Sequence, residues 1–168
     1  MQKIIFKSER DLLSFFRKFK GKNLYELKNL LDGEIETKIS LNKGMVGQIF
    51  EGLTGRPPNS SKFPDIKELG VELKAIPFRR LKNNSLSSKE RSKLKSINYK
   101  TLLHETWKES LLRKKINKIL FIVYEHPPGY RFNELEHLKY VGSFLFDLNT
   151  REEKNQIEND WQKLKNEV

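Results

Sequence analysis

The sequence predicts an α/β layered domain, with helices before and after a sheet of three or four strands. Ile119 to Tyr124 is an unbroken apolar run, the pattern of a strand buried on both faces. Val71, Leu73 and Ala75 alternate with Glu72, Lys74 and Ile76, the two-residue period of a strand with unlike faces. On both flanks, apolar residues recur at threes and fours, as amphipathic helices require.

Taken in order, Ser8 can cap a helix running to about Lys20, with Leu12, Phe15, Phe16 and Phe19 on its buried face. A second short helix is expected over Leu24 to Leu30, and a connector over Gly33 to Leu41. Lys43 to Leu53 reads as a helix with Val46, Ile49, Phe50 and Leu53 on one stripe. Gly55 to Phe63 contains Pro57-Pro58 and reads as a loop. The strand at Val71 follows it, and then Arg79 to Ser96, polar and basic, reads as a long loop. Asn98 to Lys115 carries mainly helical signals, and His126-Pro127-Pro128-Gly129 ends the apolar strand. Tyr140 to Leu148 is a further strand with Gly142 inside it. Thr150 to Lys165 is an amphipathic helix carrying Ile157, Trp161 and Leu164. Trp107 and Trp161 read as core anchors; His104, His126 and His137 lack metal-ligand spacing.

A chain of 168 residues can hold one domain with a core, and no internal repeat or linker divides it. Hydrophobic content of 36% and charged content of 33% indicate a globular protein. No apolar run approaches the ~18 residues that span a bilayer, so no membrane partner is expected. The start, MQKIIFKSERDLL, does not have the pattern of a signal peptide. Without cysteine there is neither a disulfide framework nor a zinc-thiolate site. A cytoplasmic location is expected. The net charge of +11 points to a polyanion, most often nucleic acid.

The stretch from Lys43 to Phe78 carries the chemistry. Pro64-Asp65, six residues, then Glu72-Leu73-Lys74 is a P-D-x6-E-x-K pattern, an arrangement used by metal-dependent nucleases. A phosphodiester is anionic and resists attack by water, so the chemistry calls for a divalent ion and a cation beside it. Mg2+ prefers hard oxygen ligands, and two or three carboxylates suffice. Side chains two apart on a strand point the same way, so Glu72 and Lys74 project from one face. Asp65 can converge on Glu72 from the start of the same turn, and Leu73 can offer its carbonyl to the metal. Glu51 supplies a third carboxylate, with Gly44, Gly47 and Gly55 on its face of the helix. Glycine inside a helix costs ~1 kcal/mol relative to alanine, so this face predicts close approach of another backbone. By itself E-x-K is most often a solvated ion pair on an exposed strand. The proline-aspartate turn, the glycine-flanked glutamate and the basic charge together shift the reading towards catalysis.

The blocks GMVGQIFE, PD, ELGVELKAIPF and TWKESLLRKKINKILFIVY, with Asp160-Trp161 in the last helix, make the chain similar to the MutH-type endonucleases. That family takes in mismatch-repair nicking enzymes and GATC-cutting type II restriction enzymes of the Sau type. PFRRLKNNSLSSKERSKLKSINY resembles the restriction enzymes more. The resemblance implies a restriction-endonuclease-like fold, with a central mixed sheet flanked by helices. It implies Mg2+-dependent hydrolysis of double-stranded DNA leaving 5′-phosphates, with GATC as the expected site. Asp65 and Glu72 would bind the metal with the Leu73 carbonyl, Glu51 would assist, and Lys74 would act on the attacking water. Lys115 matches a further family lysine, with Lys114 and Lys118 as alternatives.

DNA contact is expected from Lys43, Arg79, Arg80, Lys82, Lys89, Arg91, Lys93 and Lys95. Asn98, Tyr99, Arg131 and Asn133 are candidates for reading base edges. Residues 1–168 are expected to form one catalytic domain. By analogy with the restriction enzymes it would be the N-terminal part of a longer enzyme, with a second DNA-binding domain outside it. A double-strand break needs two sites or two nicks, so a dimer on DNA is a further expectation. Strand nicking and non-catalytic DNA binding are the rival functions.

Overall fold

The computed structural model describes residues 2–40, 42, 44–58, 61–94 and 96–168. Four helices come first: α1 (Glu9–Arg17), α2 (Leu24–Lys28), α3 (Gly33–Glu36) and α4 (Met45–Leu53). The hairpin β1 (Glu72–Arg80) and β2 (Leu86–Ser88) follows, then α5 (Tyr99–Leu102) and α6 (Leu111–Ile116). Strands β3 (Lys118–Glu125) and β4 (Lys139–Asp147) and the helix α7 (Lys154–Asn166) complete the chain.

Local chemistry fixes the helix ends. The Ser8 hydroxyl accepts from the Asp11 amide at 3.1 Å and caps α1, as its position predicts. Asn23 and Glu26 form a reciprocal capping box on α2, each accepting a backbone N–H at 2.8 Å. Both helices stop earlier than expected, at Arg17 and Lys28, and turns continue the path. The expected connector at 33–41 contains α3, because the Asp32 carboxylate accepts from the Glu34 amide at 2.9 Å and Ile35 is buried. A single apolar residue in a four-residue helix leaves no periodicity to read.

The sheet runs β2-β1-β3-β4. β1 and β3 are parallel, with Glu72 opposite Ile119 and Lys74 opposite Phe121, while both outer pairs are antiparallel. The sheet is therefore mixed. β3 lies between β1 and β4, which accounts for its apolar sequence. The pairing of β3 with β4 slips between Val123 and Tyr124, leaving Val141 as the extra residue of a bulge. The expected loop at 79–96 is partly sheet. β1 runs on through Arg79 and Arg80, and Leu86–Ser88 returns beside it.

Two apolar layers cover the sheet. One joins α1 to α4 with Leu73, Leu120, Ile122 and Tyr140. The other joins Leu102, Trp107, Ile116, Ile119, Leu148 and Trp161. Trp107 and Trp161 meet there with ring centroids 5.7 Å apart, in the anchoring role predicted for them. Because neighbours on a strand alternate, Leu73 and Ala75 enter the first layer and Glu72 and Lys74 take the opposite face. Among the described residues, no helix is long and apolar enough to cross a membrane.

Candidate active site

The turn before β1 brings the carboxylates together. The Ile66 amide donates to the Val71 carbonyl at 2.9 Å and the Val71 amide returns to Ile66 at 3.2 Å. Both side chains are fully buried, so the turn is pinned from below. The Leu73 amide donates to Oδ2 of Asp65 at 2.9 Å, which folds Asp65 back over the start of β1. Glu68, within the turn, is held by Arg56 at 2.5 Å and accepts from the Phe6 amide at 3.2 Å. Arg56 is buried, so this pair ties the turn to the N-terminal segment. Neither partner stands out in the sequence, since nothing in a lone Arg or Glu marks a pair twelve positions apart.

Lys115 enters from the other side. The Ser110 hydroxyl caps α6 by accepting from the Arg113 amide at 3.0 Å. The helix then carries Lys115 inward, where it is only 8% exposed and its Nζ lies 2.6 Å from Oε2 of Glu72. The alternatives go elsewhere: Lys114 faces outward, and Lys118 pairs with Glu9 and Asp147.

Electrostatics marks the cluster as unusual. Burial, then the facing charge of Asp65, pushes the Glu72 carboxyl up to about 7 against the pull of Lys115. Burial also raises Asp65, although the Leu73 amide and Lys115 oppose it. Burial lowers Lys74, with the Glu72 charge opposing. The Lys74 ammonium donates to the Lys93 backbone carbonyl, so the backbone at Lys93 passes close to the site. Two partly buried carboxylates that resist ionising together, with a hard-oxygen donor set, fit a divalent cation better than they fit each other.

Asp65, Glu72, Lys74 and Lys115 thus come together. Glu51 is half-buried on α4, the helix packed against β1. Among the described residues, no three acidic or histidine side chains form a metal-holding group. The expected close approach across the glycine face occurs at Gly55, not Gly47. A Cβ on Gly47 would meet nothing within 4 Å.

The basic segment is mixed. Arg79, Lys82, Arg91 and Lys93 are exposed. Arg80 is engaged by both oxygens of Glu125 at 3.1 Å. Lys89 points its ammonium at Nδ1 of buried His126, 2.7 Å away, and burial with this neighbouring cation lowers the His126 pKa. Lys43 and Lys95 lie outside the described residues. Of the base-reading candidates, Asn98 caps α5 by accepting from the Lys100 amide at 3.0 Å, while Tyr99, Arg131 and Asn133 are exposed.

Residues 54–160 match the family model described as the DNA mismatch repair enzyme MutH. The type II restriction enzyme Sau3AI of Staphylococcus aureus is 41% identical over 109 residues, 65% of this chain and 21% of that enzyme. The DNA mismatch repair protein MutH of Vibrio vulnificus is 31% identical over 159 residues, 94% of this chain and 66% of that protein. Its counterpart in Haemophilus ducreyi is 28% identical over 160 residues, again 94% and 66%. The chain thus spans about a fifth of the restriction enzyme's length and 66% of the repair proteins'. With residues 54–160, most of this chain, matched by the family model and the sheet and carboxylate turn in place, this chain belongs to the MutH family and has its restriction-endonuclease-like fold.

Proposed function

We propose that this chain is the catalytic unit of a Mg2+-dependent DNA endonuclease that cuts double-stranded DNA at a short site, GATC. The observation that carries the reading is the partly buried Asp65–Glu72 pair, with Lys115 bonded to Glu72 and Lys74 on the same strand face as Glu72. Asp65 and Glu72, with the Leu73 carbonyl, would hold the ion, and Glu51 would assist from α4. When bound, the ion supplies polarisation of the phosphate, a more acidic water and countercharge for the leaving oxygen.

The residues supply the rest. Lys115 offsets the carboxylate charge that would otherwise repel an incoming phosphodiester. Lys74, half-buried and on the same strand face as Glu72, would orient the attacking water and take its proton, and burial lowers its pKa in the direction that role needs. Water adds to phosphorus as it loses its proton, the bond to the 3′ oxygen breaks, that oxygen takes a proton from solvent to leave as the 3′ hydroxyl, and the phosphate stays on the 5′ end. Arg79, Lys82, Arg91 and Lys93 extend the positive surface for DNA, with Lys43 as a further contact.

A second reading, strand nicking in mismatch repair, draws on the match to the repair proteins over 94% of this chain. Both readings are tested on unmethylated plasmid with Mg2+, beside EDTA and an Asp65→Ala control. Linear product with ends at GATC supports the restriction reading, and nicked circles support the repair reading. Equal cutting by Asp65→Ala overturns the site, and metal-independent cutting overturns the cofactor.

A further inference from the structure

We propose that a cationic cleft beside the carboxylate cluster is a binding subsite for a DNA backbone phosphate next to the one being cut. The inference rests on the endonuclease reading. The cleft encloses about 280 Å3 and is lined by Pro64, Gly70, Lys108, Arg113, Lys114 and Asn117. Three of its lining residues are chain neighbours of the catalytic cluster. Pro64 precedes Asp65, Gly70 lies two before Glu72, and Lys114 precedes Lys115. A strand whose scissile phosphate sits at Asp65 and Glu72 would have this cleft beside it, on the flank formed by Pro64, Gly70 and the outer face of α6.

Three cations and one amide line the cleft, and no carboxylate does among the described residues. Arg113 is held in place: its guanidinium lies 5.8 Å over the Trp107 ring, and Nη2 is 3.5 Å from Oδ1 of Asn149. Asn149 is itself fixed, donating to Oδ1 of Asn117 and to Oδ1 of Asp147, both at 3.1 Å. Lys108 and Lys114 are exposed and make no ion pair among the described residues. Unpaired lysines in a concave, carboxylate-free wall have anion binding as their available chemistry. A planar guanidinium among them matches a phosphate's oxygens. The subsite recognises charge and backbone, not base sequence.

The test is duplex binding in EDTA across a salt series, for wild type, Lys108→Ala/Lys114→Ala, the Lys→Arg pair and a Lys163→Ala control. In the alanine pair the log–log salt slope should become shallower by about one unit, about tenfold in affinity near 0.1 M salt. The loss should be equal for duplexes with and without GATC, and the arginine pair should restore it. An alanine pair that keeps the wild-type slope, while wild type binds and cuts, overturns the subsite alone. So does a loss confined to GATC duplexes. Wild type that binds no duplex overturns the endonuclease reading and the subsite with it.

Discussion

Lys115 reaches across 43 positions of sequence to place its Nζ 2.6 Å from Oε2 of Glu72. It is a buried cation serving a partly buried anion, and neither is comfortable without the other. The contact opposes the burial and the Asp65 charge that hold a proton on Glu72. Lys115→Met should therefore raise the Glu72 pKa further. On the endonuclease reading, cleavage at neutral pH should fall by about a hundredfold, and the rising limb of the pH–rate profile should move to higher pH. A profile that falls in height without moving would assign Lys115 to packing instead.

Glu72 also makes metal-free stability depend on pH. Its folded pKa of about 7 stands above the ordinary 4.5. Between those values the folded protein keeps a proton that the unfolded chain has lost. Stability is thus fully present below the lower value and declines as pH rises through the upper one. Melting temperatures in EDTA between about pH 5 and 8 should fall more steeply for wild type than for Glu72→Gln. His126, whose lowered pKa works in the opposite direction, is common to both proteins and drops out of the difference.

Asp65→Asn should separate stability from activity. The substitution removes one of two facing, partly buried charges, while an amide oxygen can still accept from the Leu73 amide. Metal-free protein should melt higher, yet cleavage should drop by about a thousandfold or more. Glu51→Gln should cost less, because Glu51 comes from α4 and has only an assisting part in the proposed site. Thermal scans beside single-turnover rates check this, and equal losses for the two variants would place Glu51 in the centre.

Lys74→Ala should lower kcat by about a hundredfold or more with KM nearly constant, since a proton acceptor contributes in the transition state. Lys74→Arg should not rescue, because a guanidinium does not give up its proton at neutral pH. A rise in KM with unchanged kcat would make Lys74 a binding residue.

How much of this was legible depends on range. Asp65, Glu72 and Lys74 fall within ten residues, so strand periodicity and one turn suffice to converge them. The Ser8 cap and the buried run at 119–124 are equally local. Lys115 was ambiguous with Lys114 and Lys118 because a run of lysines on a short helix leaves the phase undetermined. Only the packing of Ile116 and the Ser110 cap fixes it. Arg56–Glu68 and Lys89–His126 were invisible because pairs across the fold leave no spacing to read. The β1–β2 hairpin was hidden by polarity. Its outer strand is an edge with little to bury, so it lacks the apolar alternation that identifies a strand.

Two glycines near Glu51 should respond with opposite sign. Gly55 has φ +73°, and a Cβ there would stand 2.3 Å from the Gln2 carbonyl oxygen. That backbone belongs to the N-terminal segment, which donates from Ile4 to the Thr54 carbonyl at 3.0 Å and delivers Phe6 to the core. Gly55→Ala must strain a left-handed residue and push this segment away, and the displacement reaches Glu68 through the Phe6 amide. A loss of about 2–4 kcal/mol is expected. Gly47 lies inside α4 with open space where a Cβ would go, so Gly47→Ala should stabilise by up to about 1 kcal/mol. Urea midpoints at constant m-value measure both. A Gly55→Ala protein as stable as wild type would show that the N-terminal segment does not pack over the end of α4 in solution.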